Sequence, residues 1–173
     1  AKFQRPRAEG LLPRSRLLAS LDGALGGLIC LVGPAGAGKT SLLGTWIATT
    51  QRPVIWYRVD ETDADPATVF LALAQALRGL RGKQRVQLPV PSAEHLANLA
   101  HFSRRFITAF VKALPYQAIL VFDNCHEAHA QGEGALAGLL DLLLHEGRAD
   151  LTVVAGSRLP PEAPLHAWLT HPR

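Results

Sequence analysis

Methionine is missing from all 173 residues, so the start of a natural protein is not there and the chain is expected to be a piece of a longer one. Cysteine is scarce. Cys30 and Cys125 are the two, each in or beside an apolar run, and they are expected to be small buried residues, not a disulfide or metal pair. No apolar run approaches the ~20 residues of a membrane span, so no membrane contact is expected. The basic start (Lys2, Arg5, Arg7) leads into no apolar segment, which argues against a secretion signal. With so little cysteine, a reducing, cytoplasmic setting is expected. Dense basic stripes with interleaved aromatics are lacking too. The net charge is only +4 and the arginines are scattered, so nucleic-acid binding by this chain itself is not expected.

What is present suits one globular domain: 48% of residues are apolar and 18% charged, enough for a real core. Apolar runs of strand length recur at Leu28–Val32, Pro53–Val59, Ala118–Phe122 and Leu151–Ala155. Helical spacing falls between them. Leu17 to Leu25 makes a short leading helix, and Phe70, Leu73, Ala74, Leu77 and Leu80 mark one face of a later one. That helix has a start signal, Asp65 as cap and Pro66 at its first position. A helix from Ser92 carries Leu99, Phe102, Phe106, Phe110 and Leu114, and a leucine stripe from Leu136 to Leu144 closes at Gly147. The polar, proline-bounded stretch Gly82 to Pro91 is the expected mobile loop. Strands alternating with helices imply an α/β fold in three layers around a mostly parallel sheet.

The first strand runs directly into Gly33-Pro34-Ala35-Gly36-Ala37-Gly38-Lys39-Thr40, which fits the phosphate-binding pattern G-x-x-x-x-G-K-[ST] in full. A strand before it and a helix after it are the context that the pattern requires. Its glycines allow successive backbone N–H groups to point at phosphate oxygens, and the following helix adds its positive end. Lys39 is expected to reach the outer phosphates and the Thr40 hydroxyl to ligate Mg²⁺; Ser41 is counted with the nucleotide-binding residues. This makes the expected fold a P-loop NTPase.

The third strand delivers Val121-Phe122-Asp123 to its carboxyl end. Asp123 is the candidate second magnesium residue beside Thr40, against the alternative that it only caps the next turn. In sheets of this kind ligands gather at the carboxyl ends of strands, so both motifs would open onto one crevice. The fourth strand ends Gly156-Ser157-Arg158, and Arg158 is either a γ-phosphate sensor or an ordinary surface arginine.

Taken together, these segments resemble the nucleotide-binding domain of MalT-type regulators, in the STAND class of signal-transduction ATPases. The likeness lies in Lys2 to Arg7, Leu12 to Leu18, the phosphate loop continuing to Trp46, Trp56 to Pro66, Val121 to His126 and Gly156 to Arg158. The resemblance implies residues 1–27 as an N-terminal segment and leading helix bordering the nucleotide, with Leu12, Pro13 and Arg14 beside adenine and ribose. Residues 28–173 would then be the NTPase core, truncated before its last strand. It also implies a cytoplasmic switch, held inactive with ADP and self-associating with ATP, whose DNA contacts are made by modules outside this chain.

One residue departs from that family's pattern, which usually has a second acid after the magnesium aspartate. Here it is Asn124, an amide that can hold a water but cannot take its proton. Asp123, Asn124 and Arg158 are thus the catalytic candidates, and slow hydrolysis of ATP is expected. Glu61 or Glu127 could stand in for the acid, or be ordinary solvated loop residues; His126 is read the same way, as functional or as a packing residue. The alternative function is a small-molecule kinase, for which an arginine-rich lid is wanting: Gly82 to Pro91 holds only Lys83 and Arg85. A GTPase is disfavoured because no Asn-Lys-x-Asp motif occurs. A degenerate scaffold is disfavoured by intact Lys39, Thr40 and Asp123.

Overall fold

Four strands make the sheet, and their order explains why two distant motifs meet. The computed structural model describes residues 2–6, 14–82, 85–92, 98–131, 135–161 and 164–170. The strands are β1 (Gly27–Val32), β2 (Val54–Arg58), β3 (Ile119–Asp123) and β4 (Thr152–Ser157), all parallel in the order β1-β4-β3-β2. The chain therefore crosses the whole sheet between β1 and β2, and β3 and β4 later fill the gap. Register sets Val32 beside Ser157 and Arg58 beside Asp123, which brings the four carboxyl ends to one edge.

Helices cover both faces, as a parallel sheet requires. On one side lie α1 (Ser15–Gly23) and α2 (Lys39–Thr49), packing Leu21, Leu42, Leu43, Trp46 and Ile47 on Val54, Trp56, Ile119, Val121 and Val154. The Trp46 indole N–H also donates to Asp22 at 2.8 Å, tying the two helices. On the other side are α3 (Pro66–Arg81), α4 (Leu99–Ala113) and α5 (Ala135–Glu146). Their Phe70, Leu73, Phe106, Phe110, Leu140 and Leu143 meet Ile55, Tyr57, Leu120, Phe122 and Val153. Residues 54 and 56 thus face one layer and 55 and 57 the other, the period-two alternation of a strand buried on both sides. The expected three-layer α/β fold is the one observed.

Local chemistry fixes the element ends. Asp65 caps α3 by accepting from Ala67 N at 3.1 Å, with Pro66 next, as the sequence suggests. α4 begins at Leu99 behind an Asn98 cap; residues 93–97 of the expected longer helix lie outside the described residues, and Leu114 is extended just past its end. Lys83 and Gln84 of the expected mobile loop also lie outside them. A final helix, α6 (Leu165–Thr170), and two 3-10 segments, Glu61–Ala64 and Cys125–Gln131, carry no clear periodic signal.

Both cysteines are free, and burial pushes the Cys30 thiol up to about 11 and Cys125 higher still, so they are packing residues. The edge strand β2 is covered by the N-terminal residues. Arg58 N donates to Lys2 O at 2.7 Å, the Phe3 ring meets Tyr57 edge-on, and Arg5 donates to Val54 O at 2.9 Å. Lys2 and the Tyr57 hydroxyl both donate to Asp63, whose side chain is fully buried. Burial, and then this carboxylate, drive the Tyr57 phenol upward.

Candidate functional site

Between the end of β1 and the start of α2 the chain has six residues in which to reverse. Gly36 and Gly38 make this possible by taking φ of +76° and +81°, the left-handed region that a Cβ disfavours. Gly38 is the N-cap of α2 and supplies no side-chain cap, so the first N–H groups of the helix face the loop without a side-chain acceptor. Donors of this kind, with the positive helix end, are of the type that suits an anion. Lys39 stands over the loop, donating to Gly33 O and, at 2.9 Å, to Pro34 O. Pro34, Ala35 and Ala37 form the rest of the turn, with Ala37 N bonded to Pro34 O at 3.3 Å.

Arg14 lies against the same loop, its Nη1 donating to Ala37 O at 3.1 Å. A Cβ built on Gly38 would come within 2.9 Å of the Arg14 guanidinium. Gly38→Ala should therefore destabilise the fold by about 1–3 kcal/mol, from left-handed strain and the displaced arginine. Urea unfolding of both proteins without nucleotide measures it. Leu12 and Pro13, the other two expected neighbours of the nucleotide, lie outside the described residues.

The central geometry joins α2 to β3. Thr40 Oγ1 donates to Asp123 Oδ2 at 2.8 Å across 83 residues of sequence. Asp123 is 1% exposed. Its other oxygen accepts from Asn124 N at 3.1 Å. Gly156 on β4 leaves the carboxylate its room, since a Cβ there would sit 3.0 Å from Oδ1. Sequence reasoning passed over Gly156 because its reason is a neighbour on another strand.

A hydroxyl and a carboxylate already in contact are the hard oxygen donors that suit Mg²⁺, which commonly takes one or two carboxylates and completes its shell with phosphates and water. Among the described residues no group of three His, Cys, Asp or Glu converges. Thr40 and Asp123 would hold the cation, and it would neutralise charge on the phosphates.

The remaining candidates surround this pair. Asn124 turns the chain with φ +65°, a conformation asparagine tolerates better than most residues, and its carbonyl accepts from Glu127 N at 2.9 Å. Ser41 follows Thr40 in the first turn of α2, and its carbonyl accepts from Thr45 at 2.9 Å. Arg158 is exposed just past β4, and its N–H donates to His126 Nδ1 at 3.4 Å. Burial, and then the charge of Arg158, hold the His126 imidazole below its ordinary range. Glu61 and Glu127 border a cavity of about 360 Å³ with Asn124. A second cavity, of about 410 Å³, opens beside Thr40, Asp123 and Asn124, and Arg5 and Arg58 line it. Both lie in segments that carry the resemblance, but their place beside Thr40 and Asp123 comes from strand register and the covering N-terminal segment.

Known proteins are similar to this chain. The family described as AAA ATPase domain matches residues 11–154. The HTH-type transcriptional regulator MalT of Cronobacter sakazakii is 34% identical over 132 residues, covering 73% of this chain and 14% of that protein. MalT of Yersinia enterocolitica is 30% identical over 166 residues, 93% of this chain and 18% of that protein. The chain thus spans under a fifth of the length of these relatives. A solved STAND protein with a tetratricopeptide repeat sensor, from Pyrococcus horikoshii, aligns with 91% of this chain and 22% of its own, at a TM-score of 0.52 and 19% identity. That likeness shows the fold. No helix among the described residues is long and apolar enough to cross a membrane. The chain belongs to the AAA ATPase domain family, and the MalT regulators are among the proteins it is similar to.

Proposed function

We propose that this chain is the nucleotide-holding switch of a larger transcription regulator, binding ATP or ADP with Mg²⁺ and hydrolysing ATP slowly. The observation that supports the reading is the 2.8 Å contact between Thr40 and Asp123, two oxygen donors of the kind that suits Mg²⁺, beside the Gly33–Thr40 loop. In this reading the loop amides and Lys39 grip the phosphates, and Ser41 lies next to them in the first turn. Leu12, Pro13 and Arg14 border the base and sugar, Thr40 and Asp123 hold Mg²⁺, and Arg158 approaches the terminal phosphate. In the larger protein, self-association with ATP is the output, DNA is met through modules outside this chain, and the setting is cytoplasmic.

Slow turnover follows from Asn124. Its amide can orient a water beside Asp123, but no carboxylate stands at that position to take the proton. Asn124→Asp preserves a side chain that tolerates φ +65°, so the variant is expected to fold and to release phosphate from ATP about tenfold faster. Phosphate release under excess ATP–Mg²⁺ checks both halves. Wild-type turnover on the order of one per second or faster would contradict the reading.

A further inference from the structure

Two arginines line the crevice on the side away from the phosphate loop, and the reading above uses neither. Arg58 ends β2, where register places it opposite Asp123. Its side chain is exposed and makes no hydrogen bond or ion pair among the described residues, although its main-chain N–H donates to Lys2 O at 2.7 Å. Arg5 comes from the N-terminal residues that cover β2, and one of its Nη groups donates to Val54 O at 2.9 Å. Both border the cavity of about 410 Å³ that Thr40, Asp123 and Asn124 also line. A guanidinium is a planar fork matched to an oxyanion, so two of them at one cavity suit a tetrahedral anion such as phosphate.

Strand order indicates which phosphate. The loop follows β1 and Arg158 follows β4, so the nucleotide's own phosphates belong to that half of the edge. Arg58 stands two strands beyond β4, roughly 10 Å further along at the spacing of paired strands, with Asp123 of β3 between. We propose that Arg58 and Arg5 form a second oxyanion subsite, which takes free inorganic phosphate beside bound Mg²⁺–ADP. This rests on the nucleotide-binding reading above, in which hydrolysis of ATP is the source of that phosphate. Glu61 and Glu127 line the adjoining cavity of about 360 Å³ with Arg58 and form no ion pair with it; Glu127 lies instead 3.2 Å from His126. They leave the fork free, and their negative charge keeps the phosphate weakly held, so that it can depart. A phosphate held there delays the return to a state with ADP alone, by a time that follows the phosphate concentration.

The test is calorimetric titration of inorganic phosphate into protein saturated with Mg²⁺–ADP, on wild type, Arg58→Gln, Arg58→Lys and Arg5→Gln. The nucleotide fills the phosphate loop, so the added phosphate cannot bind there. Wild type should bind phosphate saturably, with about millimolar affinity. Losing charge-assisted bonds should weaken this about tenfold in Arg58→Gln and severalfold in Arg5→Gln. Lysine keeps the charge but not the fork, and should recover part of the loss. The thermal midpoint without ligand should match wild type in Arg58→Gln, since that side chain is exposed and unpaired among the described residues. Affinity for Mg²⁺–ATP separates the two sources of phosphate and should stay within about twofold in Arg58→Gln. A loss for ATP as large as that for phosphate would make Arg58 a contact of the nucleotide itself and overturn the proposal. No phosphate binding by wild type, or undiminished binding by Arg58→Gln, also overturns it while nucleotide binding stands. A wild-type protein that binds neither nucleotide overturns both.

Discussion

Lys39→Ala should weaken ATP binding by about a hundredfold, the largest effect of any single change in this chain. The ammonium sits at the loop mouth against Gly33 O and Pro34 O, where it would meet the outer phosphates with charge-assisted bonds. Its loss removes about 2.8 kcal/mol, since each tenfold in affinity is about 1.4 kcal/mol. The backbone cradle remains, so binding is reduced and not abolished. Without nucleotide the unfolding temperature should barely move, because the side chain's only hydrogen bonds among the described residues are to those carbonyls at a partly exposed site. A thermal-shift titration separates the two. Saturating ATP raises the wild-type midpoint, and the variant should show little rise at the same concentration. Equal shifts in both would mean that Lys39 does not touch the ligand.

The second large effect concerns Asp123, and two substitutions divide it. Asp123→Ala deletes a carboxylate that is 1% exposed and strands both the Thr40 hydroxyl and the Asn124 N–H. A stability loss of about 1–3 kcal/mol is expected from the unsatisfied groups. Asp123→Asn keeps the shape, its oxygen accepting from Asn124 N while its NH₂ donates to the Thr40 hydroxyl turned to accept, but not the charge. Its stability should stay near wild type, while the gain in ATP affinity that Mg²⁺ confers should fall about tenfold or more. Titrating Mg²⁺ at fixed ATP measures that gain. An asparagine variant with undiminished magnesium dependence would remove Asp123 from the metal site.

Much of this site is legible in residues close together in sequence. The phosphate loop is a contiguous pattern whose glycines answer a local need, left-handed backbone at Gly36 and Gly38. β3 is the most legible strand because it is buried on both faces and so reads as an unbroken apolar run, and the half-buried β1 still reads as one. Asp123 is legible by its place at the end of such a run. Strand order is not. Nothing near Leu28 says that its partner is Val153, because that pairing is settled by which helix packs on which face.

The same limit hides Arg58, opposite Asp123 through register alone, and Gly156, whose missing side chain matters only to a carboxylate on β3. His126 shows it differently. A histidine after a strand is unremarkable until Nδ1 is seen to accept from Arg158 N and Nε2 to lie 3.2 Å from Glu127 Oε1. Arg14 stands between these cases. The resemblance sets it near the base and sugar, and the fold lays its guanidinium on the Ala37 carbonyl of the phosphate loop.

The measurement that bears most directly on the account is calorimetric titration of the chain with ATP, ADP and GTP, each with Mg²⁺. The account predicts saturable binding of ATP and ADP, with GTP at least about tenfold weaker, since no guanine-reading motif is present. A preference for GTP, or no binding of any of the three, would contradict it.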